Sequence, residues 1–167
     1  MEILDLLKNR RSIRSYKQKP VEDEKLMRIL DAARLAPSAA NMQPLCFIII
    51  KDEKTRQQLK KAYDEIWFYT APLIICACSI PEKAWIRGDG KNYADIDTAI
   101  AMDHLILAAT AEGLATCWIA AFKVSTVKSI LKLPVNIEPL AMTPIGYPQE
   151  TPQQTHRKPL EEIIKII

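Results

Sequence analysis

A chain of 167 residues, 49% of them hydrophobic and 26% charged, is the size of one domain over 1–167, and its composition excludes intrinsic disorder. A net charge of +3, with no basic stripe interleaved with aromatic residues, excludes nucleic acid as the expected partner. No run of about 18 apolar residues occurs, and the acidic, amphipathic start MEILDLLKNR is unlike a signal peptide, so no membrane partner and a cytoplasmic location are expected.

The chain opens on a predicted helix over 2–9, with Ile3, Leu4, Leu6 and Leu7 on its inner face. A second helix is predicted over 22–35, where Leu26, Ile29, Leu30 and Ala33 recur at helical spacing behind an acidic first turn. Two prolines, a serine and an asparagine make residues 36–44 a loop. LCFIII (45–50) reads as a buried strand, followed by a polar surface helix over 53–66 capped by Asp52. PLIICACSI (72–80) is a second buried strand, and 81–92 is a loop rich in Gly and Pro. Residues 93–112 form a long helix, apolar on nearly every side after Asp103 and ended by Gly113. A third strand is predicted over 114–120, a helix over 125–133 with Ser125 as its cap, and a fourth strand within 138–148. Residues 159–167 end the chain as a short helix or an extended arm. Four or five strands and five or six helices, without strict alternation, predict an α+β fold with helices on both faces of a mixed or antiparallel sheet.

Cys46, Cys76, Cys78 and Cys117 all lie in apolar runs and read as buried, reduced thiols. No metal site is expected from them, because zinc ligands take wider spacings with histidine nearby. The chain has only four glycines, Gly88, Gly90, Gly113 and Gly146, and they do not make a dinucleotide fingerprint. Asp103 and His104 are helix neighbours about 100° apart and form no dyad, and Asp95 and Asp97 fall at a helix start where acids are expected anyway. No nucleophile elbow or Cys–His pair is present, so any chemistry is expected to come from a cofactor.

Three polar features stand out. RRSIRSY (10–16) gathers Arg10, Arg11 and Arg14 around Ser12, a donor set suited to a phosphate monoester, although spacing alone favours a solvated basic turn. PSAANMQP (37–44) offers Ser38, Asn41 and Gln43, which suit the edge of a heterocycle and equally suit local turn chemistry. HRKP (156–159) is a second cationic site, which either converges with the first on one anion or is unrelated surface charge.

These strings, in this order, resemble the FMN-dependent nitroreductase superfamily in its short form. RRSIRSY and PSAANMQP resemble its first two motifs, and GLATCWIAAF (113–122), PIGYP (144–148) and RKPLEEI (157–163) resemble three more, so that the likeness covers residues 4–163. The resemblance implies a mostly antiparallel sheet of four to five strands flanked by helices, in an intertwined homodimer with FMN at the subunit interface. It implies that Arg10, Arg11, Ser12 and Arg157 hold the ribityl phosphate and that Arg14 approaches the pyrimidine edge. It also implies that Pro37, Ser38, Ala39 and Asn41 come from the partner chain, and that the backbone of Ile119, Ala120 and Ala121 passes the ring at N5 and O4. Trp85 and Arg87 are expected to cover the flavin and help select substrate. Ala40 and Ala115 stand where glycine is common, Leu45 where an aromatic is common, and Thr155 replaces a frequent basic residue.

The implied activity is an NADH- or NADPH-dependent oxidoreductase working by ping-pong hydride transfer through flavin N5, with no catalytic side chain. Its second partner would be a small-molecule electron acceptor such as a nitroaromatic or quinone. The alternatives are an FMN-binding relative with another redox role, dehalogenase-like or a flavin carrier, and a non-catalytic interaction domain.

Overall fold

The computed structural model describes residues 2–151 and 154–167. At its centre is β2 (Leu73–Ser79), in which every residue is buried. Its alternation divides the core in two. Leu73, Ile75 and Ala77 point to one side, and Ile74, Cys76 and Cys78 to the other. β2 pairs antiparallel with β1 (Leu45–Ile50) on one flank and with β4 (Glu138–Gly146) on the other. The short β3 (Ala115–Thr116) pairs antiparallel with β4, giving the order β1-β2-β4-β3. β1 and β3 are therefore the two edges of a four-stranded antiparallel sheet.

The first face is covered by α2 (Asp23–Arg34) and α5 (Ala94–Ala111). Leu26, Ile29 and Ala33 of α2 meet Met102, Leu105, Ile106 and Ala109 of α5 over the sheet. Burying each large side chain contributes about 1.5–3 kcal/mol, and Leu105→Ala would cost about 2–5 kcal/mol. α5 ends at Gly113, whose φ of +73° is a left-handed turn that favours glycine, and Leu114 N–H returns to Ala109 C=O at 2.8 Å. The second face is covered by α3 (Glu53–Gln58), the 3-10 turn Leu59–Lys61, α4 (Ile66–Tyr69) and α6 (Val124–Leu131), with Leu59, Phe68 and Val127 buried against Ile74, Cys76 and Met142. The remaining helix, α1 (Ile3–Asn9), precedes the arginine run.

Four expectations are corrected. The helix predicted over 53–66 is α3, a 3-10 turn at Leu59–Lys61 and the separate α4, because the chain tightens to bury Leu59 and Ala62. The strand predicted over 114–120 pairs only at Ala115–Thr116, with one further bridge from Ile119 to Met142. Ser125 does not cap α6. The capping position is Lys123, with no side-chain cap. Finally, of the four residues predicted for the inner face of α1, Ile3, Leu4 and Leu7 are exposed and Leu6 is half-buried. All four cysteines are free thiols, three of them buried and Cys46 half-buried. No helix among the described residues is long and apolar enough to cross a membrane.

Candidate functional site

The arginine run is laid along a sheet edge. Arg10 N–H closes α1 on Leu6 C=O, after which the chain extends. Ser12 bridges Thr116 of β3 in parallel, and Ile13 N–H donates to Thr116 C=O at 2.9 Å. Tyr16 then bridges Pro148, just past β4. Ile13 and Tyr16 turn inward and are buried, whereas Ser12 and Arg14 turn outward. Tyr16 needs room beside the sheet, and Gly146 provides it: a Cβ there would stand 3.2 Å from the Tyr16 ring and 3.1 Å from Pro72. The Tyr16 hydroxyl donates to Ile13 C=O at 2.5 Å, and burial pushes its pKa far above the ordinary value.

Among the described residues none of Arg10, Arg11, Arg14 and Arg157 is paired with a carboxylate. The Arg14 guanidinium lies 5.8 Å from the Trp67 ring centroid, and its backbone N–H donates to Glu150 Oε1 at 3.0 Å. The Arg11 guanidinium folds back on the carbonyls of Lys8 and Arg10. Arg11 and Arg157 nevertheless line one groove of about 430 Å³ with Leu4, Leu7 and Lys8. The two cationic ends of the sequence thus meet within a single chain. The arginine run also acts on Cys117, whose thiol is pushed up by burial but pulled back by Arg14, by a hydrogen bond with Ser12 and by Arg10.

Beyond Thr116 the chain leaves the ladder. Cys117 N–H donates to Thr143 Oγ1, and Ile119 exchanges two backbone hydrogen bonds of 2.9 Å with Met142. Ala120 and Ala121 follow, exposed, and among the described residues neither N–H has an acceptor in the chain. Two small residues with free donors therefore stand at the end of the segment that the arginine run flanks.

The loop over 37–44 is wound on itself. Asn41 N–H donates to Ser38 C=O, Ser38 Oγ accepts from Gln43 N–H at 3.0 Å, and Gln43 Nε2 reaches Asn41 Oδ1 at 3.1 Å. Ala40, Asn41 and Gln43 have φ of 49°, 55° and 50°, a left-handed region costly for residues other than glycine. Ala40, the position where the sequence carries alanine in place of a common glycine, is one of them. Ala115 is not, and sits in ordinary strand backbone. The loop leads into β1, whereas the arginine run lies on β3, so the sheet separates them by three strand spacings of about 4.8 Å each. A single chain does not bring these two groups together.

Trp85 and Arg87 lie in a hairpin-like turn closed by the Ile86–Asn92 bridge. Trp85 packs edge-on against Tyr93 at 5.1 Å, and Arg87 is held by Asp89 through two hydrogen bonds of 2.9 and 2.6 Å. Asp103 is exposed, and His104 Nδ1 is 3.0 Å from Ile100 C=O, a local helix contact. Sequence reasoning missed Trp67, Glu150 and Thr143 around the arginine run, and nothing in their local pattern signals them. It also missed Asp97, which is 2% exposed and accepts Ala39 N–H on Oδ1 at 3.0 Å. A signal existed here, since Asp97 shares the helical stripe of Ala101 and Leu105.

A four-stranded antiparallel sheet with helices on both faces, and a basic run beside a strand end whose donors are free among the described residues, define an α+β protein with a cationic sheet edge. The nitroreductase family matches residues 7–67 and 60–147, and the chain belongs to that family. A nitroreductase family protein from Clostridium difficile 630 is 39% identical, with a TM-score of 0.92 over 99% of this chain and 98% of that one. The FMN-dependent nitroreductase of Clostridium difficile R20291 is 30% identical, with a TM-score of 0.81 over 92% of each chain. The FMN reductase of Bacillus subtilis (strain 168), whose name carries NAD(P)H, is 28% identical over 179 residues, spanning 97% of this chain and 72% of its own length.

Proposed function

We propose that this protein is an FMN-dependent oxidoreductase that draws electrons from NADH or NADPH and passes them to a small organic acceptor. The observation that carries the reading is the parallel bridge between Ser12 and Thr116, which lays the arginine run beside the segment leading to Ala120 and Ala121. The named activities of the related FMN reductase and FMN-dependent nitroreductase support it.

The residues present fit the cofactor. Arginines without carboxylate partners among the described residues, and a serine hydroxyl, are a donor set for a phosphate monoester, and each charge-assisted hydrogen bond contributes about 1.5–3 kcal/mol. Arg10, Arg11, Ser12 and Arg157 would hold the phosphate. Arg14, steadied by Trp67 and Glu150, would place positive charge at the pyrimidine edge. The free N–H groups at Ala120 and Ala121, next to Ile119, would face the ring, and their small side chains leave it room. When bound, the flavin supplies the redox chemistry, taking hydride from the nicotinamide and yielding electrons to a nitroaromatic, quinone or similar acceptor in a second half-reaction.

The site is completed by a second copy. Pro37, Ser38, Ala39 and Asn41 lie a sheet width from the arginine run, so they would serve the site of the other subunit in a homodimer. The exposed apolar residues of α1 and the C-terminal arm, among them Leu4, Leu7, Ile163 and Ile166, would be covered there. Trp85, packed on Tyr93, would wall the substrate side. Arg87 reaches substrate only by giving up Asp89.

Anaerobic titration of the purified protein with NADH and then NADPH, followed by visible absorbance, tests this reading. At least one nucleotide is expected to bleach the bound flavin faster than it bleaches free FMN. Failure of both overturns the reductase assignment. Reoxidation with a nitroaromatic, a quinone and an iodinated phenol then separates a reductase from a dehalogenase-like enzyme.

A further inference from the structure

The loop over 37–44 has no glycine, yet three of its residues adopt left-handed backbone. Ala40 and Gln43 each cost roughly 1–2 kcal/mol there, and Asn41 less, so the loop's own hydrogen bonds work against backbone strain. Its exit is fixed by backbone, Ile80 N–H donating to Pro44 C=O at 2.8 Å. Its entry is fixed by one side chain. Asp97, 58 residues away on the first turn of α5, accepts Ala39 N–H at 3.0 Å. That carboxylate is almost wholly buried, and among the described residues its second oxygen, Oδ2, has no hydrogen-bond partner. A buried carboxylate with an unpaired oxygen is costly to keep in a core, where an apolar residue would pack without penalty. Its side-chain hydrogen bond among the described residues anchors the loop.

We infer that Asp97 is a positioning residue: it clamps the start of the 37–44 loop so that Ser38 and Asn41 are presented, preformed, to the flavin site of the other subunit. The inference rests on the proposed function for the identity of what the loop meets, while the clamp itself rests on geometry alone. Preorganisation is the physical benefit. A loop already held in its strained form does not spend binding energy on being ordered. Asp97 would not touch the cofactor, and would act only through Ala39.

The test uses Asp97→Ala, Asp97→Asn and Ala39→Pro in the full chain. Asparagine keeps an acceptor for Ala39 N–H. Proline removes that N–H and leaves the carboxylate in place, at a position where the preceding residue is already extended, with ψ of 156°. Two readouts are taken on apoprotein: amide hydrogen exchange of residues 38–43, compared with that of β2 and α5, and FMN affinity by flavin fluorescence. Asp97→Ala and Ala39→Pro are each expected to speed exchange in the loop alone and to weaken FMN by about 10-fold or more, with Asp97→Asn within about 3-fold of wild type. If Asp97→Ala does not fold, Ala39→Pro decides the matter. Unchanged loop exchange in the folded variants overturns the clamp. Faster exchange with unchanged FMN affinity overturns the positioning role. If the wild-type protein takes up no FMN, the proposed function fails instead, and the exchange arm still decides whether Asp97 holds the loop.

Discussion

Thr143 Oγ1, buried on β4, accepts the backbone N–H of Cys117 at 3.1 Å and gives its own proton to Pro144 C=O at 2.9 Å. A side chain has taken the place of a strand partner where the β3–β4 ladder ends at Thr116. The segment carrying Ala120 and Ala121 is thus hung on β4 at Thr143 and again at Met142. Thr143→Val keeps the shape and removes the acceptor, leaving a buried N–H unpaired. The expected loss is about 1–3 kcal/mol, seen as a fall in Tm of roughly 2–4 °C per kcal/mol. An unchanged Tm would contradict this role.

Tyr147 governs the titration of Glu22. Its hydroxyl donates to Glu22 Oε2 at 2.6 Å, while Lys19 approaches Oε1 at 3.1 Å and lies 4.0 Å over the tyrosine ring. The Tyr147 hydrogen bond, with help from the backbone and Lys19, lowers Glu22 from its ordinary 4.5 to about 2. A depressed carboxyl pKa stabilises the fold above the unfolded value and loses that contribution as pH falls through the folded one. The contact should therefore be intact above 4.5 and fade toward pH 2. Tyr147→Phe should move the Glu22 midpoint up toward 4.5, as read by carboxyl NMR titration. A midpoint still near 2 would assign the shift to other groups.

Ala40 should accept glycine. Its φ of 49° strains an alanine by roughly 1–2 kcal/mol, whereas glycine gives back about 0.4–1 kcal/mol through a looser unfolded chain. Thermal unfolding of Ala40→Gly is expected to show a net gain of up to about 1 kcal/mol. A clear loss would mean that the left-handed turn is not formed in solution.

The uncovered apolar residues of the C-terminal arm mark where the proposed homodimer would be vulnerable. Ile163 is 67% and Ile166 93% exposed in one subunit. Introducing charge with Ile163→Glu and Ile166→Glu should weaken self-association by about 10-fold or more, measured by sedimentation across a range of concentrations. A dimer of unchanged affinity would exclude the arm from the interface.

Periodicity made α2, β1, β2 and α5 legible because each has a strong pattern and one dominant burial demand. It failed where burial is decided from outside the segment. LATCWIA has a strand-like composition, but Cys117 finds a side-chain acceptor and the ladder stops. The stretch after Asp52 has a helical pattern, but Leu59 and Ala62 are drawn under the sheet and the helix breaks. The arginine run was legible as a donor set. Its neighbours Trp67 and Glu150 were not, because only the fold brings them within reach. Asp97 looked like an ordinary acid of a helix start, and only its burial and its bond to Ala39 distinguish it from Asp95, which is exposed.

Cationic side chains from both ends of the chain are proposed to close on one flavin phosphate, and flavin binding by Arg10→Ala combined with Arg157→Ala tests this. Wild-type protein is expected to retain FMN through purification. The double variant is expected to bind it on the order of 100-fold more weakly or worse and to emerge colourless. A folded double variant that keeps stoichiometric FMN would show that the two arginines do not hold the phosphate.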